Sequence, residues 1–126
     1  MRQQILTIPG VEYFGSWELL QGFLESRGNP PWRCENNIDL SYTKIEHLNN
    51  LVSVSGDLYL RKTPIESLGS LQSVDGDLDL YETPIKSLGS LQSVGGYLYL
   101  GGTPLAKKYN EQQIRRTVDV KRAVYL

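Results

Sequence analysis

The chain has 126 residues, 40% of them hydrophobic and 21% charged, with a formal net charge of −1; this balance suits one domain with a core and excludes a low-complexity, disordered chain. Charge is unevenly placed, with 7 Lys/Arg against 12 Asp/Glu in residues 1–102 and 6 against 2 in residues 103–126. The single Cys34 excludes an intramolecular disulfide and a thiolate zinc site, so packing must supply the stability and a reducing, cytoplasmic setting is expected.

The first residues, MRQQILTIPGVEYFG, hold a brief apolar run broken by Pro9 and Gly10. It is too short for a secretory core or a membrane span, which predicts a soluble intracellular protein with no membrane association. Ser16 is placed to N-cap a helix carrying Trp17, Leu20, Phe23 and Leu24 on one side, ended by Arg27-Gly28 and the turn Asn29-Pro30-Pro31. Residues 1–33 therefore read as a helical N-terminal cap.

From there the chain repeats. LVSVSGDLYLRKTPIESLGS (51–70), LQSVDGDLDLYETPIKSLGS (71–90) and LQSVGGYLYLGGTPLAKKYN (91–110) superpose without a gap. The segment 35–50 joins the frame, with Ile38, Leu40, Thr43, Ile45 and Leu48 falling on Leu58, Leu60, Thr63, Ile65 and Leu68. Fixed periods of this size mark units that cannot bury their own apolar side and must stack on neighbours. The fold class predicted is an α/β repeat, a short solenoid of four to five coils of twenty residues with a parallel sheet, over residues 34–105 of a single domain spanning 1–126.

Within one coil, Leu58-Tyr59-Leu60 alternates as a strand with both leucines inward and Tyr59 outward. Gly56, Gly76 and Gly96, with Asn36 in the first coil, recur ahead of it and suggest a backbone of positive φ. Thr43, Thr63, Thr83 and Thr103 recur after it; their hydroxyls are expected to bond backbone groups of the adjacent coil, while a following Pro fixes the exit turn. Val54, Leu58, Leu60, Ile65, Leu68 and Leu71 form the inward set.

Beyond the repeats, residues 106–126 read as a helix–strand C-terminal cap. Asn110 with Gln113 three residues later is a capping-box pattern opening a helix through Thr117. Val120, Val124, Tyr125 and Leu126 then repeat the spacing of Val94, Leu98, Tyr99 and Leu100, which predicts a terminal strand with the period grown to 26 by the helix.

The spacing LxLxxTxIxxLxxL resembles a leucine-rich repeat, with Thr where that family usually has Asn or Cys. The chain also resembles small bacteriophage-encoded proteins with such Gly-Asp-Leu-Tyr-Leu and Thr-Pro-Ile repeats. The first likeness implies a curved array that contacts a ligand through its strands. The second implies a phage protein acting in the host cytoplasm, as an inhibitor of host defence or an adaptor of a host protein. Neither prescribes one function.

Outward strand positions line up in files when coils stack: Asn37, Asp57, Asp77, Tyr97; then Asp39, Tyr59, Asp79, Tyr99 and Tyr125; then Ser41, Arg61, Tyr81, Gly101. The face is acidic and aromatic, and Tyr is enriched in binding hot spots. The candidate binding residues are Asp39, Asp57, Tyr59, Arg61, Asp77, Asp79, Tyr81, Tyr97 and Tyr99, offered to an unidentified protein partner. Asp57 beside Asp77 sets like charges opposite each other on neighbouring strands, a strain that a basic partner or cation would relieve. Oxygen ligands at Asp57, Asp77 and Asp79 are too few for a metal, and neither metal nor cofactor is expected.

Two alternatives stand beside this reading. Lys107, Lys108, Arg115, Arg116, Lys121 and Arg122 could meet nucleic-acid phosphates, although Glu111 and Asp119 dilute them. The same charges could attract the acidic face of another copy, giving a self-assembling homo-oligomer. Catalysis has little to stand on: His47 aligns with Ser67 and Ser87 on the outer side, Cys34 aligns with core Val54, and no nucleophile has a recognisable base partner, so no enzyme is predicted.

Overall fold

Through the middle of the chain, residues twenty positions apart pair with each other. Leu58 pairs with Ile38 on one side and Leu78 on the other, and Leu78 pairs with Leu98. A second ladder runs beside the first, joining Ser53 to Ser73 and Ser73 to Ser93. The computed structural model describes residues 4–126, and its architecture is α/β: two parallel sheets of short strands with a few helices.

One sheet has six strands, taken in the order β1 (Leu6–Ile8), β2 (Trp32–Cys34), β4 (Leu51–Val54), β6 (Ser73–Val74), β8 (Ser93–Val94) and β10 (Asp119–Val120). The other has five: β3 (Ile38–Asp39), β5 (Leu58–Tyr59), β7 (Leu78–Asp79), β9 (Leu98–Tyr99) and β11 (Val124–Tyr125). Each twenty-residue row thus enters the fold twice, once through its Ser-Val pair and once through its Leu-Tyr or Leu-Asp pair. The alternation around Leu58 predicts only the second sheet, so the six-stranded one is an addition. Its strands run two to four residues, too short for alternation to stand out in sequence.

Between the sheets lies the core. Val54, Leu58, Leu60, Ile65, Leu68 and Leu71 are all buried, as are Val74, Leu78, Leu80, Ile85, Leu88 and Leu91 one row on. Each such side chain contributes ~1.5–3 kcal/mol on leaving water. Because the rows share a register, every leucine meets its counterparts above and below, and one continuous core results.

Two local expectations are corrected. Gly56, Gly76 and Gly96 do not have positive φ; the left-handed positions are Asn49, Gly69 and Gly89 in one file and Tyr42, Lys62, Glu82 and Gly102 in another. Gly56, Gly76 and Gly96 are needed for room: a Cβ at Gly76 would collide with Asp57 Oδ1, and one at Gly56 with Asn37 Oδ1. The threonine hydroxyls, expected to reach the adjacent coil, donate within their own row instead, Thr63 to the Leu60 carbonyl at 2.8 Å and Thr83 to Leu80 at 2.7 Å. A buried hydroxyl needs a partner, and the tight turn brings it to the carbonyl three residues back, which accepts the threonine N–H as well.

At the N-terminal end, α1 (Trp17–Ser26) is capped as its sequence predicts, Ser16 Oγ accepting the Leu19 N–H at 3.1 Å. Trp17, Leu20 and Leu24 are buried beneath it, with Trp17 against Trp32 at 5.9 Å between ring centroids. Residues 4–33 are more than a helix, however, since β1 pairs in parallel with β2, Leu6 with Trp32 and Ile8 with Cys34. At the other end, α2 (Pro104–Lys108) leads to α3 (Glu111–Thr117). The α3 capping box is formed, Asn110 Oδ1 accepting from Gln113 N–H and Gln113 Oε1 from Asn110 N–H, both at 2.9 Å. β11 lies on β9 with Val124 opposite Leu98 and Tyr125 opposite Tyr99. No helix among the described residues is long and apolar enough to cross a membrane.

Candidate functional site

The outward side chains of the five-stranded sheet form one file, Asp39, Tyr59, Asp79, Tyr99 and Tyr125, because each is register-paired with the next. Position 20 residues apart therefore becomes adjacency in space. The nine predicted binding residues all lie on or beside this face, yet they fall into groups of different character.

Asp57 and Asp77 belong to the scaffold. Asn37 Oδ1 accepts the Asp57 N–H, Asp57 Oδ1 the Asp77 N–H, and Asp77 Oδ1 the Tyr97 N–H, at 2.7, 2.7 and 2.8 Å. The like-charge conflict between Asp57 and Asp77 is thus met inside the chain, since charge-assisted bonds from backbone amides stabilise a carboxylate. Asp57 also accepts the Tyr59 hydroxyl at 2.8 Å. That bond, followed by burial and the negative field of Asp57, pushes the Tyr59 phenol up to about 12.

Asp79 is buried, at 6% exposure, which its place in an outward file does not predict. Arg61 covers it, with Nε and Nη2 both 3.1 Å from Oδ2, and the Tyr81 N–H donates to Oδ1 at 3.0 Å. The guanidinium also stacks on the Tyr81 ring, 4.8 Å from its centroid. Asp79 holds the Arg61 guanidinium above its ordinary pKa. Arg61, Asp79 and Tyr81 form a self-contained triad. Asp39 at the sheet edge is exposed and accepts the Ser41 N–H at 3.0 Å.

The remaining group is aromatic. Tyr99 and Tyr125 stack with centroids 5.1 Å apart and planes at 11°, and Tyr97 lies 6.2 Å from one and 5.9 Å from the other. The Arg122 guanidinium sits over Tyr97 at 5.7 Å. Burial, then the negative field of Asp77, raises the Tyr99 phenol above its usual pKa. Tyr97 and Tyr99 are half-buried and Tyr125 exposed, so the cluster is held in place while its edges face water. Tyr125 joins the cluster, as the 26-residue spacing places it; Arg122 carries no such signal, because its basic neighbours suggest phosphate contact.

Elsewhere two of the six basic C-terminal residues pair within the chain. Arg115 donates to Glu111 Oε2 and to the Val120 and Arg122 carbonyls at 2.8, 2.7 and 2.6 Å, and Lys121 pairs with Asp119 at 2.7 Å. Cys34 is buried, which pushes its thiol up, and exposed His47 accepts the Asn49 N–H. Among the described residues no three His, Cys, Asp or Glu side chains converge as metal ligands. No protein-family model, curated protein or solved structure matches this chain.

Proposed function

We propose that the chain is a short leucine-rich-repeat-like solenoid that serves as a protein-interaction module, engaging a protein partner through the outer face of its five-stranded sheet. The observation that carries this reading is the Tyr97–Tyr99–Tyr125 cluster. Three aromatic rings fixed against each other offer a large amphipathic contact area, and little rotamer freedom remains to be lost on binding. Arg122 beside Tyr97 and exposed Asp39 at the far edge supply polar contacts at the margins. Asp57, Asp77 and Asp79 shape the face through the bonds they make within it.

The partner class follows from the resemblance to phage-encoded repeat proteins: a host protein in the cytoplasm, which this chain inhibits or links to another. The nucleic-acid alternative has less to draw on, because Arg115 donates to two backbone carbonyls and Lys121 pairs with Asp119. The test is affinity capture from the cognate host lysate with the wild-type chain and with a Tyr97→Ser, Tyr125→Ser double variant. A specific protein retained by the first and lost by the second, at unchanged circular dichroism, is the expected result. Equal retention by both would remove the cluster from the interface.

A further inference from the structure

On the side of the molecule formed by the helices, a cavity of about 530 Å³ opens between α2, α3 and the loop before β8. Leu88, Leu91, Leu105, Ile114 and Val118 form its apolar floor, and Gln113 and Thr117 add polar groups. It arises where the twenty-residue period breaks. Leu105 still follows Ile85 by twenty, its N–H donating to the Ile85 carbonyl, whereas β10 lies 26 residues after β8. The inserted α2–α3 corner spans the extra chain, with Leu105, Ile114 and Val118 turned to the core.

The rim is charged with one sign. Lys86 and Arg116 line the opening, neither forms an ion pair or hydrogen bond among the described residues, and no carboxylate lines it. This is notable in a chain whose first 102 residues carry an acidic excess. The volume falls within the ~300–1,000 Å³ of small-molecule sites, which are mainly apolar with a few polar groups that fix orientation.

We propose that this cavity binds a small amphipathic anion, an alkyl or aryl body carrying one carboxylate or comparable acid. The body displaces water from the leucine, isoleucine and valine wall. The acid stays at the rim, hydrated on one side and paired with Lys86 and Arg116 on the other, which avoids the cost of burying a charge. None of the lining residues belongs to the tyrosine cluster, so the site is independent of the sheet face.

The experiment is a titration of the methyl-labelled protein with decanoate, followed by NMR, with decanol as the neutral analogue. Lys86→Glu, Arg116→Glu is the variant; both side chains are exposed and unpartnered, so it should fold as the wild type does. Saturable shifts at the Leu88, Leu91, Leu105, Ile114 and Val118 methyls are expected. Affinity for decanol, and that of the variant for decanoate, should be weaker by about tenfold or more. Absence of saturation, shifts centred on the sheet face, or equal affinity for decanoate and decanol would overturn the proposal. So would shifts at these methyls that follow protein concentration without ligand, since the occupant would then be a second copy.

Discussion

Asp57 Oδ1 accepts the backbone N–H of Asp77 at 2.7 Å and fills the space that a side chain at residue 76 would require. The glycine and the acid are therefore one device. Gly76→Ala should destabilise the fold by about 1–3 kcal/mol through overpacking. Asp57→Ala should cost a comparable ~1–3 kcal/mol by stranding the Asp77 amide. Asp57→Asn should be far milder, because Asn37 already makes the same bond one row earlier. Urea denaturation of the three variants checks the order; a Gly76→Ala variant as stable as wild type would contradict it.

The same carboxylate controls Tyr59, whose phenol is pushed up to about 12 by the Asp57 hydrogen bond first of all. A group with a raised folded-state pKa stabilises fully below its unfolded value of about 10 and loses that contribution as pH rises through its folded value. Stability should thus fall between roughly pH 10 and 12 as this phenol ionises. In Asp57→Asn, ultraviolet titration should find Tyr59 ionising at lower pH than in wild type, and an unmoved titration would break the link.

Arg61 lies over buried Asp79, and its loss leaves a carboxylate with only the Tyr81 amide for company. Arg61→Ala should cost about 1–2 kcal/mol, near the low end for a stranded charge because the arginine side chain is itself 39% exposed and screened by solvent. Adding Asp79→Asn to that variant should restore part of the loss. A double-mutant cycle by thermal unfolding measures the coupling, and additive effects would mean that the pair does not interact.

Two adjacent arginines on α3 should behave differently. Arg115 ties the helix to the Val120 and Arg122 carbonyls, so Arg115→Ala should lower stability by about 1–3 kcal/mol. Arg116 makes no such contact, and Arg116→Ala should stay within roughly 0.5 kcal/mol of wild type. Denaturant midpoints of the two variants compare them directly.

How much of this was readable from residue order depends on what kind of regularity each feature has. The twenty-residue period, the buried set Val54 to Leu71, the Ser16 and Asn110 caps and the Tyr125 strand all follow from local chemistry or from spacing, which pairing at constant register carries into space. The six-stranded sheet, α2 and the burial of Asp79 do not. The Ser-Val pairs lack the Leu-x-Leu alternation that marks the other strands, and an outward position becomes buried only when a particular neighbour, here Arg61, folds over it.

The candidate face divides along the same line. Its residues could be named from alternation, because strand geometry decides which side chains point outward. What each of them touches is decided by contacts between rows: Asp57 and Asp77 turn to backbone amides, Asp79 hydrogen-bonds Arg61, and Tyr97, Tyr99 and Tyr125 pack ring against ring. Such choices depend on distances of about 3 Å between groups far apart in the chain, and only the folded arrangement sets those distances.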